Sequence, residues 1–193
     1  MAEMDVGLRG FIGELVVQYW LEKKYNKGFT IVRQIMPEEV DKKGGGYLDF
    51  GVINNKQEVV GVYEVKAQDY IQNKGSKINK ALRYIWDNQG RILKFITQDK
   101  REFIGCKDTT GKLILLVGAN DEGIKNIGCA NLKNVILFDD ILNDNGFEID
   151  IERLKKDLIE HMDVVLNVLK NPVNGKTTTK KFQEKRGNVE LWI

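Results

Sequence analysis

Hydrophobic positions along this chain recur first at helical spacing, then in strand-like runs, then at helical spacing again. Over residues 5–25, Val6, Phe11 (or Leu8), Leu15, Tyr19 and Leu21 approximate one helical stripe, and Asn26-Lys27-Gly28 supplies a stop. Residues 29–36 are rich in β-branched and apolar side chains and end at Pro37, which predicts a strand. Residues 38–46, with Asp41-Lys42-Lys43 ahead of three glycines, read as a mobile loop. Gly44-Gly45-Gly46 is its flexible tip rather than a phosphate cradle, because no helix follows. Residues 47–53 and 58–66 read as two strands joined by a tight turn at Asn54-Asn55-Lys56-Gln57. Ile78, Leu82, Ile85 and Trp86 give a helix over 76–89 with Gly90 as its cap, Tyr84 and Trp86 serving as packing residues. Two compact apolar strands follow at 112–117 and 134–138. A long helix over 150–169 then carries Ile151, Leu154, Leu158, Met162, Val165 and Leu169 on one face until Asn171-Pro172 stops it. His161 reads as a surface residue of that helix.

The order is helix, three-strand meander, helix, returning strand, then a further strand and a C-terminal helix. That order predicts an α/β sandwich with a mixed central sheet. One domain is expected over 1–172, with a basic tail over 173–193 that is polar until its apolar end, Val189-Glu190-Leu191-Trp192-Ile193.

Composition narrows the chemistry. At 193 residues with 42% hydrophobic side chains, the chain can bury a real core. No apolar run approaches the roughly 18 residues that cross a bilayer. The start, Met-Ala-Glu-Met-Asp, lacks the layout of a signal peptide. Cys106 and Cys129 have no metal-ligand spacing, and a reduced, cytoplasmic chain is the simplest expectation. His161 is the only histidine, which excludes a His-rich zinc site and any mechanism that needs more than one imidazole. The net charge of +2 hides a segregation: residues 1–71 carry −2, 72–118 carry +6, 119–169 carry −6 and 170–193 carry +4. A basic middle beside an acidic third quarter fits a polyanion-binding face, although solvated helix faces of mixed sign give the same count.

Three residues on the two hairpin strands carry the candidate chemistry: Asp49, Glu64 and Lys66. Side chains alternate across a strand, so Glu64 and Lys66 share a face, and Gln68 joins them if the strand continues. Val59, Val60, Val62, Tyr63 and Val65 surround them in sequence, and a strand so apolar has little reason to hold a carboxylate and an ammonium unless they are paired or bind something. A two-residue turn at Asn55-Lys56 sets Asp49 one pleat from Glu64, and one at Lys56-Gln57 pairs the two directly. An odd-length loop sends Asp49 to the opposite face unless a bulge corrects it. The expectation is an even loop. Adjacent carboxylates repel unless a hard cation sits between them, and Mg²⁺ or Mn²⁺ accepts oxygen from one or two carboxylates while keeping positions for water and phosphate. The expected ligands are Asp49, Glu64 and the Val65 carbonyl. Lys66 would act on an attacking water or on developing charge at phosphorus.

Asp49 followed across a hairpin by Glu64-Val65-Lys66 resembles the PD-(D/E)xK nuclease superfamily, the restriction-endonuclease-like fold. Gly13-Glu14-Leu15-Val16 ahead of the strand Phe29-Thr30-Ile31-Val32 looks like the opening of its Holliday-junction-resolvase and archaeal-nuclease branches. The resemblance covers roughly residues 5–140. It implies a restriction-endonuclease-like sandwich, a metal-dependent hydrolase of phosphodiester bonds in DNA, Glu14 as an added metal ligand and Gln68 as a further polar site residue. No proline precedes Asp49, where the chain reads Gly46-Tyr47-Leu48, and many members also lack it.

Lys74, Lys77, Lys80 and Arg83, around the start of the helix after the motif strand, are the expected phosphate contacts. A homodimer is expected, since one site cuts one strand. Two other readings remain: a nuclease-like module that binds nucleic acid or protein without cutting, and a structural protein presenting the acidic stretch 119–163. An exposed Glu64–Lys66 ion pair would account for the motif without any chemistry.

Overall fold

The structure, a computed structural model, describes residues 6–41, 46–66, 78–116, 132–144 and 146–170. The chain divides into two compact units, Met1–Phe147 and Glu148–Ile193.

In the first unit, helix α1 (Val6–Lys24) is followed by strand β1 (Phe29–Pro37), a one-turn helix α2 (Glu38–Asp41), and strands β2 (Leu48–Asn54) and β3 (Glu58–Lys66). Helix α3 (Lys80–Asp87), strands β4 (Lys94–Thr97), β5 (Glu102–Leu115) and β6 (Val135–Leu137), and helix α4 (Phe138–Leu142) complete it. The six strands form one mixed sheet in the order β3-β2-β1-β4-β5-β6, and β5 also pairs with β3. The meander β1–β2–β3 is antiparallel. Strand β5 runs parallel to β3, with Glu64 opposite Leu113, and antiparallel to β4, so the pairing of the sheet closes on itself. The mixed α/β class and the central mixed sheet are therefore as expected.

Each face of the sheet carries its own apolar cluster. Val17, Trp20 and Leu21 of α1 meet Phe50, Val52, Tyr63, Val65 and Ile114 on one side. Ala81, Leu82 and Ile85 of α3 meet Ile53, Val62, Leu113 and Leu115 on the other. The alternation that sends Tyr63 and Val65 one way and Val62 and Glu64 the other is the period-two pleat of β3. Helix α1 approaches closely at Gly13, where an added Cβ would lie 2.1 Å from Leu116 Cδ1, so any larger residue forces the helix or the leucine to move.

Several elements differ from expectation. Residues 38–41 form a helical turn anchored by buried Val40 rather than the start of a mobile loop; residues 42–45 lie outside the described residues. The α3 helix proper begins at Lys80, later than the pattern suggested, and Asn88 is its C-cap. Strand β4 was not anticipated: Lys94–Thr97 is too short to show alternation. Strand β5 begins ten residues before its expected start. Its first half buries Phe103 and Gly105, and between Gly105 and Thr110 the pairing with β3 breaks its register. Glycine gives no hydrophobic signal, and the break hides the rest.

The second unit contains helix α5 (Ile151–Lys170). Of the face expected to be apolar, Leu154 and Leu158 are half-buried and Ile151 and Met162 exposed, while the side chains of Val165 and Leu169 lie outside the described residues. His161, expected at the surface, is buried at 5% exposure; it lies seven residues from Leu154 and three from Leu158, on their stripe.

Candidate active site

The hairpin sets the register of the site. Its loop is three residues long, Asn55-Lys56-Gln57, closed by the Gln57 N–H to Asn54 O bond at 3.0 Å and by Asn54 Oδ1 accepting from Lys56 and Glu58 N–H, both at 2.9 Å. Gln57 takes a left-handed φ of 62°, the conformation a three-residue hairpin needs at its last loop position. The expected even-length turn is thus absent. The pairing starts at Ile53↔Val59 and continues as Val52↔Gly61, which leaves Val60 as one extra residue. That bulge restores the phase, and the register beyond it runs through Gly51↔Val62 and Phe50↔Tyr63. Extended one step, that register sets Asp49 opposite Glu64, one of the two alignments left open by the sequence.

Asp49 sits where two ladders lapse together. The β1–β2 pairing goes from Arg33↔Phe50 to Ile35↔Leu48 and omits Gln34. Gln34 has φ +54°, and its carbonyl accepts the Gln98 N–H at 3.0 Å instead of serving β2. The β2–β3 pairing stops at Phe50↔Tyr63. Asp49 turns to β3: Oδ2 accepts the Val65 N–H at 2.6 Å. A carboxylate here takes the place of a strand carbonyl.

Glu64 is 1% exposed. Its Oε1 pairs with the Lys66 ammonium and accepts from Asn79 Nδ2 at 3.3 Å, whereas Oε2 has no hydrogen-bond partner among the described residues. Asn79 also donates to Tyr47 O at 3.0 Å, and its Oδ1 caps α3 by accepting the Ala81 N–H at 2.9 Å. The reading of Glu64 and Lys66 as an exposed edge pair is corrected: the pair is real, but the carboxylate is buried and β3 has neighbours on both sides.

Glu14 reaches the site from α1. Arg33 forks onto Gln18 Oε1 at 3.0 and 2.7 Å, lies over the Phe50 ring at 5.2 Å, and stands 3.8 Å from Glu14 Oε2. Burial pushes all three carboxyls above their ordinary range. For Asp49 burial is the largest cause, the charges of Glu64 and Glu14 add to it, and the Val65 N–H and Lys66 oppose it; the rise is large. For Glu64 burial is opposed first by Lys66, and for Glu14 first by Arg33. Three carboxyls that repel one another, Glu64 buried and Asp49 and Glu14 half-buried, are costly unless protons or a cation neutralise them.

The chemistry of this donor set suits a hard cation: the donors are oxygens only, and one buried carboxylate oxygen lacks a partner. Among the described residues, no group of three or more His, Cys, Asp or Glu side chains is arranged to hold a metal ion. The fit therefore rests on the pair Asp49 and Glu64, with Glu14 coupled to them through charge. The Val65 peptide belongs to the site through its N–H. Lys80 and Arg83 are exposed on α3, while Gln68, Lys74 and Lys77 lie outside the described residues. Sequence reasoning missed Asn79, Arg33, Gln18 and Gln34. Only Asn79 carried a signal, an asparagine just ahead of an apolar helical run.

No family model, no curated protein and no solved structure matches the chain.

Proposed function

We propose that the protein is a metal-dependent nuclease of restriction-endonuclease-like fold that hydrolyses phosphodiester bonds, with DNA as its substrate. The observation that carries this reading is half-buried Asp49 set beside fully buried Glu64, with Glu64 Oε2 unpartnered and Lys66 on the other oxygen. Asp49 and Glu64, with the Val65 carbonyl and Glu14, are the groups that would hold Mg²⁺ or Mn²⁺. Such an ion, when bound, acidifies water and neutralises phosphate charge. Lys66 holds Glu64 in place through its ammonium and supplies positive charge where negative charge grows on phosphorus. Arg33, 3.8 Å from Glu14, opposes the burial that raises the Glu14 carboxyl above its ordinary range. The exposed cations Lys80 and Arg83, just after the Asn79 cap, contact phosphate backbone. The protein works in the cytoplasm, and a two-fold dimer would let two sites face two strands.

A second reading, a module of the same fold that binds without cutting, is favoured by one observation: the described carboxylates are not gathered as a three-ligand metal centre. Mg²⁺- and Mn²⁺-dependent nicking of supercoiled plasmid separates the two. Nicking by the wild type that EDTA and Asp49→Ala both abolish supports the nuclease. Salt-dependent DNA binding with no cleavage of DNA or RNA supports the module.

A further inference from the structure

We infer that Asn79 is the positioning residue of this site: one amide nitrogen holds Glu64 Oε1 and the Tyr47 carbonyl together, and so leaves Glu64 Oε2 as the oxygen available to a ligand. The inference rests on the nuclease reading and adds to it a residue outside the Asp-Glu-Lys set.

The two ends of the Asn79 side chain do separate jobs. Capping α3 requires only an acceptor, here Oδ1 at 2.9 Å from Ala81 N, and serine or aspartate would serve as well. The Nδ2 group is not needed for the cap. It reaches 3.0 Å to Tyr47 O, just ahead of the strand that carries Asp49, and 3.3 Å to Glu64 Oε1 on the next strand. The terminal torsion of a glutamate is broad and two-fold, so burial alone does not fix which oxygen points where. Two donors on the same oxygen do fix it, and Lys66 and Asn79 are both on Oε1. Partners that orient a ligand side chain in this way typically contribute 10–100-fold to metal affinity or activity, about as much as is at stake here.

The test compares Asn79→Ser, Asn79→Asp and Asn79→Ala with wild type in the full chain. Three quantities are read: thermal midpoint without metal, Mn²⁺ affinity by EPR counting of free ion, and kcat with KM for plasmid nicking. Serine and aspartate keep the cap, so both should hold the fold, yet lose about tenfold or more in Mn²⁺ affinity and in kcat with little change in KM. Aspartate should lose more, since it sets a second carboxylate against Glu64 Oε1. Alanine should lose the cap as well, with a lower midpoint. Serine and aspartate variants that bind Mn²⁺ and cut as wild type does would overturn the inference and leave Asn79 as a helix cap, with the nuclease intact. A wild type that binds no Mn²⁺ and cuts nothing would overturn both, and that failure is visible without any variant.

Discussion

Asp49→Asn preserves the shape of the side chain and its acceptor for the Val65 N–H, and removes one charge from three mutually repelling carboxylates. Because the folded-state pKa of Asp49 is raised, the native state holds its proton to higher pH than the unfolded chain does. The sign follows: below the unfolded value, about pH 4, the carboxyl is protonated in both states and costs nothing. As pH rises through the folded-state pKa the wild type loses stability, and above it the loss is complete. Each unit of rise is worth about 1.4 kcal/mol, and the usual yield of removing such a functional strain is about 0.5–2 kcal/mol. In a chain of this size 1 kcal/mol moves the midpoint by about 2–4 °C, so in EDTA at pH 8 the variant should melt a few degrees above wild type. Near pH 4 the two should converge. Mg²⁺ reverses the order: at about 100 times its dissociation constant it adds about 2.7 kcal/mol to wild type and little to the variant. Differential scanning fluorimetry from pH 4 to 8, with EDTA or Mg²⁺, reads all of this. A variant less stable than wild type in EDTA at pH 8 would refute the repulsion argument.

Lys66→Ala and Lys66→Met should each reduce nicking by about 10² or more, because the charge and not the stem acts in the transition state. Both should also lower stability in EDTA, since buried Glu64 loses its ammonium partner; unchanged nicking by either would remove Lys66 from the mechanism. Gln34→Gly should relieve a left-handed residue that costs about 1–2 kcal/mol and leave cleavage intact, whereas Gln34→Val should destabilise and impair cleavage. Chemical denaturation and nicking rates measure both, and a Val variant as active as wild type would detach the strand kink from the site. Neutralising Lys80 and Arg83 together should lower the slope of log K against log salt by about 1.8 for duplex DNA, independent of sequence. An unchanged slope would place the backbone contacts elsewhere.

The parts of the fold readable in the sequence were those with strong local signals. Helix α1, the β1–β3 strands and the long C-terminal helix were long enough to read, although α1 buries Val16, Val17 and Trp20 off its expected stripe and exposes Leu8. Strand β4, at four residues, and the glycine-containing first half of β5 did not, and their partners are set by pairing distant in sequence. The site was legible to the extent that residue spacing fixes faces. Asp49 and Glu64 do oppose each other, but by an odd loop and a bulge at Val60, and nothing in the run Val59-Val60-Gly61-Val62 marks which residue is extra. Lys66 was expected in a chemical role or as half of an exposed pair with Glu64; the burial of the carboxylate in that pair is what the sequence did not show. Arg33, Gln18 and Gln34 depend on how α1 and the β4–β5 turn pack against the sheet, which local pattern does not encode.

Strand β3 has one neighbour that is close in sequence and one that is far away. Its pairing with β2 closes through a three-residue loop, whereas its pairing with β5 joins Glu64 to Leu113 across the whole of α3 and β4. Short closures form early and distant ones late, so the hairpin brings the carboxylates together while water still screens them. Only the arrival of β5 and α3 strips that water away. Where that arrival follows the main barrier, the electrostatic penalty is felt only by a chain already committed to its topology. Relieving it with Asp49→Asn should slow unfolding and leave the folding rate nearly unchanged.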